Sequence, residues 1–325
     1  MLKIKLLRAG IATTCLLSCL AACSSSDPQP TPAKEGPSSP QSASSSNVKP
    51  LSGHLLFSRW DDANSRFASH HVSLADGSRQ TQIKMPGSQG GGRWSHSTRQ
   101  IAVSVELKND QVGTAIIDPK GKVVRVLSLP DKSINMVCTV WSRDDQRLAC
   151  ETWDDADPDR AGVYTVRAAD GKKIKRLTSS SAGNRDLAGD YSPDGKSIVF
   201  RRTVDGSNGP LMEMSANGGE PRQIAEQVVE DNGRYSADGR TVVASAEGAI
   251  LFLDVATGKI VGRLNEDGHV LFGPSWSPDG THVVYGNTLS GQRMADIYIA
   301  DSDGSDTRNV TNTPSESETV VDWGP

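Results

Sequence analysis

The sequence predicts an all-β fold: a six-bladed β-propeller of four-stranded antiparallel blades, closed by a C-terminal strand that completes the first blade. Three observations predict it. An aromatic-Ser-Pro-Asp-Gly unit, each copy followed by a short apolar run, recurs along the chain. Its period is that of a four-stranded blade. The two ends of the repeating region carry complementary parts of one further unit.

Taken in chain order, the first element is an address. Lys3, Lys5 and Arg8 precede an apolar stretch from Ala9 to Leu20, which ends in Leu20-Ala21-Ala22-Cys23. A basic start, a short apolar middle and small residues at the cut make an export signal over residues 1–22. Leu-Ala-Ala-Cys resembles the bacterial lipobox, in which the thiol is acylated and the cysteine becomes the first residue. The resemblance implies a lipid anchor on Cys23. It places the protein on the cell membrane or the outer membrane, at the periplasmic or extracellular face. Two or more acyl chains make such an anchor stable, where one is marginal. Ser24 follows in place of the Asp that resembles an inner-membrane retention signal, and the sequence leaves the type of envelope open.

Cleavage before Cys23 removes three cations and no acid, taking the net charge from −4 to −7. That balance excludes nucleic acid as the main partner. No apolar stretch reaches the roughly 18 residues of a membrane span. The hydrophobic share of 36% is too high for a wholly disordered chain.

Residues 23–50 read as the lipidated cysteine and a tether. Residues 24–50 hold nine Ser and six Pro among 27 positions. Such a segment buries too little to offset its chain entropy. As a coil it reaches roughly 30 Å, more where proline stiffens it.

The propeller occupies residues 51–325. Its clearest unit is Trp276-Ser277-Pro278-Asp279-Gly280 followed by Val283-Val284-Tyr285; Tyr191-Ser192-Pro193-Asp194-Gly195 and Tyr235-Ser236-Ala237-Asp238-Gly239 repeat it. Trp141-Ser142-Arg143-Asp144-Asp145 and Trp94-Ser95-His96 are weaker copies. The aromatics at 94, 141, 191, 235 and 276 are separated by 47, 50, 44 and 41 residues. Pro fixes φ at the second position of a turn, Asp suits the third and Gly the fourth, so Ser-Pro-Asp-Gly reads as a type I turn between two strands. A third run follows, such as Ile297-Tyr298-Ile299 or Ile250–Leu253. Then comes a second turn, such as Asp303-Gly304 or Asp170-Gly171, and a fourth run, such as Lys173–Thr178. One meander cannot bury both its faces, but neighbours stacked in a ring can. The unit aromatic is therefore expected between blades, as core. Residues 54–58, 71–74 and 79–83 read as the second, third and fourth strands of a blade lacking its first. Thr319–Pro325 reads as a first strand cut off at its turn. Spliced together they bring the count to six and leave the ring no open edge.

Repeated Trp/Tyr-Ser-Pro-Asp-Gly, with the Asp-Gly turn and the Leu177-Thr178 ending, resembles the WD40-like repeats of TolB-type propellers over about residues 51–325. The resemblance implies a non-catalytic protein-binding or scaffold module of the cell envelope, whose partner is an envelope protein or peptide segment. Related propellers also occur in oligosaccharide lyases and beside hydrolase domains. A propeller lyase or hydrolase, or a sensor or accessory subunit of an envelope complex, is therefore the alternative.

No catalytic set stands out. There is no Gly-x-Ser-x-Gly elbow. Gly189 to Ser197 has one residue too many for a phosphate loop and falls on a hairpin. The histidines, at 54, 70, 71, 96, 269 and 282, show no metal-ligand spacing. Asp155-x-Asp157-x-Asp159 has Arg160 where a calcium loop turns on Gly, and Asp301-x-Asp303-Gly304-x-Asp306 coincides with a repeat hairpin. Asn309-Val310-Thr311 reads as a fourth strand. No metal, cofactor or enzymatic activity is assigned.

Binding is expected at the channel mouth where the innermost strands begin. Five residues before each aromatic lie Gln89, Met136, Asp186, Glu230, Leu271 and Glu318, with Asp231 and Glu316 nearby. Asp186, Glu230, Asp231, Glu316 and Glu318 would form an acidic partner-binding rim. Finally, Cys138 and Cys150 each lie six residues from Asp144, at the centre of the third unit's turn. Partners across a hairpin are equidistant from its turn, so the two face each other and are expected to form a disulfide.

Overall fold

The computed structural model describes residues 51–61, 69–84, 91–108, 111–131, 133–180, 184–204 and 206–325. Cys23, the tether and Gln89 lie outside them. The described residues form six four-stranded antiparallel sheets. Blade 1 joins β1 (His54–Asp61), β2 (Ser69–Leu74) and β3 (Thr81–Ile83) to the last strand of the chain. Blade 2 is β4 (Gly92–Trp94), β5 (Ile101–Glu106), β6 (Val112–Ile117) and β7 (Val123–Val126). Blade 3 is β8 (Asn135–Trp141), β9 (Arg147–Trp153), β10 (Gly162–Arg167) and β11 (Lys175–Arg176). Blade 4 is β12 (Asp186–Tyr191), β13 (Ser197–Arg202), β14 (Gly209–Ser215) and β15 (Arg222–Val229). Blade 5 is β16 (Arg234–Tyr235), β17 (Thr241–Ala246), β18 (Ala249–Asp254) and β19 (Ile260–Leu264). Blade 6 is β20 (His269–Trp276), β21 (His282–Leu289), β22 (Ala295–Asp301) and β23 (Arg308–Asn309). The closing strand, β24 (Glu316–Gly324), pairs with β1 from His54↔Gly324 to Asp61↔Glu316. It starts earlier than the sequence suggests, and β11 and β3 are shorter.

The second strand of each blade is an unbroken apolar run because each of its faces meets a different core. Ile101 and Val103 pack towards blade 1, with Leu56, Val72 and Trp94, while Ala102 packs towards blade 3, with Met136 and Trp141. Val242 and Ala244 join the blade 4 core, whereas Val243 joins that of blade 6. Six such clusters fill the seams, and the one holding Leu55, Phe57, Val284, Ile299 and Trp323 joins the two ends of the chain. Five of the six unit aromatics are buried there, and Trp276 is half-buried against Phe252.

Four of the turns that follow the aromatics have an internal lock. Ser142, Ser192, Ser236 and Ser277 donate Oγ–H to Oδ1 of the Asp two residues on, at 2.6–2.8 Å. The same Oγ accepts the N–H five residues on, at 2.9–3.1 Å. The Ser hydroxyl, first among several donors, holds the Asp144, Asp194 and Asp238 carboxyls below their ordinary range. Gly195 N–H returns to Ser192 O at 2.8 Å, as a type I turn requires. Gly195 (φ 69°) and Gly280 (φ 71°) are left-handed. Valine at either position should cost roughly 1–2 kcal/mol of backbone strain. Gly280→Val should cost more, because a Cβ there meets Ala237 Cβ at 2.8 Å, whereas at Gly195 nothing lies within 4 Å. Thermal melting of the two variants checks both the loss and its order.

Blade 3 breaks the turn pattern for a reason. Asp145 takes the left-handed position (φ 55°) that glycine holds elsewhere. Its carboxylate crosses to blade 2, accepting His96 N–H at 2.8 Å, Ser97 N–H at 2.8 Å, Ser97 Oγ–H at 2.6 Å and Thr98 N–H at 3.2 Å. The turn of blade 2 lacks its own Asp, and its neighbour supplies one. In the same blade Cys138 and Cys150 are joined by a disulfide, both sulfurs deep in the seam with blade 2.

Candidate functional site: the turn-end cavity

The innermost strands bulge just before the aromatic. The register slips between Val137 and Val140, between Ala188 and Asp190, and between Phe272 and Ser275, and β24 slips the same way against β1. A bulge re-aims the residues beside it. At Gly189 the backbone of the next blade is so close that a Cβ would sit 1.9 Å from Asn232 O. The glycine serves packing, and the run to Ser197 crosses the β12–β13 hairpin.

All six blades contribute to one cavity of about 280 Å³ at the end of the ring where the Ser-Pro-Asp-Gly turns lie. Its charged belt comes from the residues immediately before the aromatics: Arg93, Asp190, Arg234 and Asp322, with Ser275. Arg93 and Arg234 sit three blades apart, and so do Asp190 and Asp322, which gives the belt an approximate two-fold pattern. Arg93 crosses the channel to donate to Gly189 O. Burial, and then Arg234, push its guanidinium down to about 9, with Asp322 and Asp190 pulling it back; it stays a cation at neutral pH. Asp322 accepts Trp94 N–H at 2.8 Å and Ser275 Oγ–H at 3.3 Å. Asp190 accepts Tyr235 N–H at 3.2 Å. Two ion pairs here are long, Arg143 to Asp190 at 3.4 Å and Arg234 to Asp322 at 3.8 Å, and Arg143 Nη2 also donates to Tyr191 O at 3.2 Å.

The five carboxylates singled out in the sequence are at the opposite end, where the strands begin, and they do not form an open acidic ring. Asp186 is buried and held bidentately by Arg202, at 2.8 and 2.9 Å. Glu318, with no exposed side-chain surface, takes Arg59 Nε–H at 2.8 Å and Nη2–H at 2.6 Å. Arg59 also reaches Glu316 at 2.8 Å. Asp231 accepts Ser245 N–H, Ser245 Oγ–H and Gly233 N–H; burial still raises its carboxyl. Burial, with Asp231 beside it, raises the half-buried Glu230. Met136 and Leu271 are core.

Among the described residues no three His, Cys, Asp or Glu side chains converge as a metal site would. Of the histidines only His96 lines the cavity. Arg160 is spent on Asp131 and Asp154, and Asp303 caps its own turn through Ser305. No helix among the described residues is long and apolar enough to cross a membrane.

No protein-family model matches the sequence, and no curated protein does. Solved structures do. TolB from Acinetobacter baumannii superposes with a TM-score of 0.62 at 19% identity, over 83% of this chain and 67% of that one. The fold is a TolB-like β-propeller. A chain of a nidogen/laminin complex superposes with a TM-score of 0.58 at 12% identity, over 82% of this chain and 98% of that one. At these identities the likeness is one of architecture.

Proposed function

We propose that this is an exported, lipid-anchored propeller that acts by binding, holding a segment of an envelope protein at its channel. The cavity carries the reading: all six blades supply it, and its charges stand on a closed ring. Strand ends and loops fixed by a rigid scaffold suit recognition. The basic start and Leu20-Ala21-Ala22-Cys23 support the anchor and the envelope location. The docking end we favour is the turn end, since at the other end Asp186 and Glu318 are already clamped within the chain.

Site-specific photo-crosslinking in cells tests it. Ala237 is exposed and lines the cavity, while Val124, 48% exposed, lies on the outer strand β7. A photoreactive residue at 237 should give a discrete protein adduct, and one at 124 should not. Adducts from 124 alone would move the partner to the outer rim, and turnover of an oligosaccharide by the purified protein would make it an enzyme. Labelling with a palmitate analogue should be lost in Cys23→Ala; label that persists removes the anchor.

A further inference from the structure

We infer that the blade closing the ring is an acid-sensitive latch, which opens as His70 and His71 take up protons. Both histidines stand on β2, which pairs with β1, the strand that β24 must find. Neighbours along a strand point to opposite faces. His70 shares its face with Val72, in the core towards blade 2, and His71 stacks on Phe57, in the core towards blade 6.

His70 is 5% exposed. Its Nδ1 lies 3.0 Å from Ser58 Oγ, and its Nε2 has no partner among the described residues. Ile83 stands opposite it on β3, and blade 2 presents Ile101, Val103 and Val105, none of them charged. The carboxylate that β24 adds on this side, Asp322, is spent at the turn end on Trp94 N–H. A proton on this ring puts a charge into an apolar seam with little to offset its lost hydration. His71 is stacked at 5.3 Å between ring centroids, and the Arg59 guanidinium lies 5.5 Å from the same Phe57 ring. Its Nε2 is 2.9 Å from Ser69 Oγ. Glu316 and Glu318, on β24, are both engaged by Arg59. Gln82, opposite His71 on β3, is uncharged, and on the facing strands of blade 6 His282 and Asp301 pair with each other at 3.2 Å. A protonated His71 is thus a second cation beside Arg59.

Burial lowers His70; burial first, then Arg59 and His70, lowers His71 to about 4 from an ordinary 6.5. A histidine lowered in the closed form stabilises it above 6.5 and loses that stabilisation as pH falls from 6.5 towards the lowered value. In that window each excluded proton moves the opening equilibrium by about tenfold per pH unit. Glu230 and Asp231, which burial raises, act with the opposite sign. Blades 3, 4 and 5 contain no histidine, so the weakening is local. Asp322, Trp323 and Gly324 of β24 line the turn-end cavity, and opening takes that wall from whatever the cavity holds.

Hydrogen exchange of the full chain at about pH 7.5 and about pH 5, read by peptide mass spectrometry as protection factors, tests this. Protection in β1, β2 and β24 should fall by about tenfold or more beyond any fall in β13 and β17. His70→Gln with His71→Gln should abolish the difference. Equal loss in all blades, or a difference that persists in the double variant, overturns the inference. If that variant does not fold, the imidazole proton resonances of the native chain decide. Two of the six histidines should still be neutral at about pH 5.5, and titration of all six near 6.5 overturns the inference.

Discussion

Arg59→Ala should destabilise the propeller by about 3–5 kcal/mol, the scale of orphaning a buried ion-pair partner. Glu318 has no exposed side-chain surface, and both of its hydrogen bonds to a cation come from Arg59. Without the guanidinium the carboxylate stays buried in the seam between β1 and β24 with nothing to offset its lost hydration. A loss under about 1 kcal/mol, the worth of an exposed pair, would show that water reaches it. The double replacement Arg59→Met with Glu318→Leu separates charge from closure. If the penalty is desolvation, it should recover most of the loss; if the pair is what fastens the ring, it should not. Urea unfolding of the three proteins decides.

Removing the disulfide should come next in size. Cys138→Ala with Cys150→Ala opens a loop of 12-residue separation. The expected loss is at or below about 3 kcal/mol. Its site explains why it is needed there. Blade 3 has neither the Pro nor the Gly of its sister turns, and Asp145 is held left-handed so that its carboxylate can cap blade 2. The disulfide fastens the hairpin whose turn has been lent to a neighbour. Two free thiols in exported protein, seen by non-reducing mass spectrometry, would end this account, and so would equal melting of the double variant and the native chain.

What could be read from the sequence is what the six blades share. The aromatics, the turns and the split first blade recur at a period, and the positions around Asp144 put the two cysteines face to face before any coordinates. The cavity was hidden because its charged residues do not recur. The residues directly before the aromatics are Arg93, Val140, Asp190, Arg234, Ser275 and Asp322, with Val140 in the core, so likeness among blades does not reveal the belt. One signal was available: a charged side chain directly before a core aromatic, where a strand residue is otherwise apolar. The acidic rim was misleading for the opposite reason. Its carboxylates do fall at equivalent positions, but Arg59 and Arg202, which hold Glu318 and Asp186, come from the second strands, and counting from the aromatic never meets them. The lock inside the turns was half legible. Pro, Asp and Gly announce the bend, whereas the Ser that precedes them takes its part only when its Oγ is seen between Asp Oδ1 and an N–H.

The pairing of β24 with β1 also sets a clock. Arg59 is synthesised 259 residues before the Glu318 it must hold. At roughly 5–20 residues per second, β1 waits on the order of 10–50 s with one edge bare. During that interval the early blades expose both an unpaired strand and an unfilled seam, the two surfaces most open to wrong pairing. Until β24 has been made, the ring cannot close. Closure is a late event, in which β24 must find β1 across the whole length of the propeller.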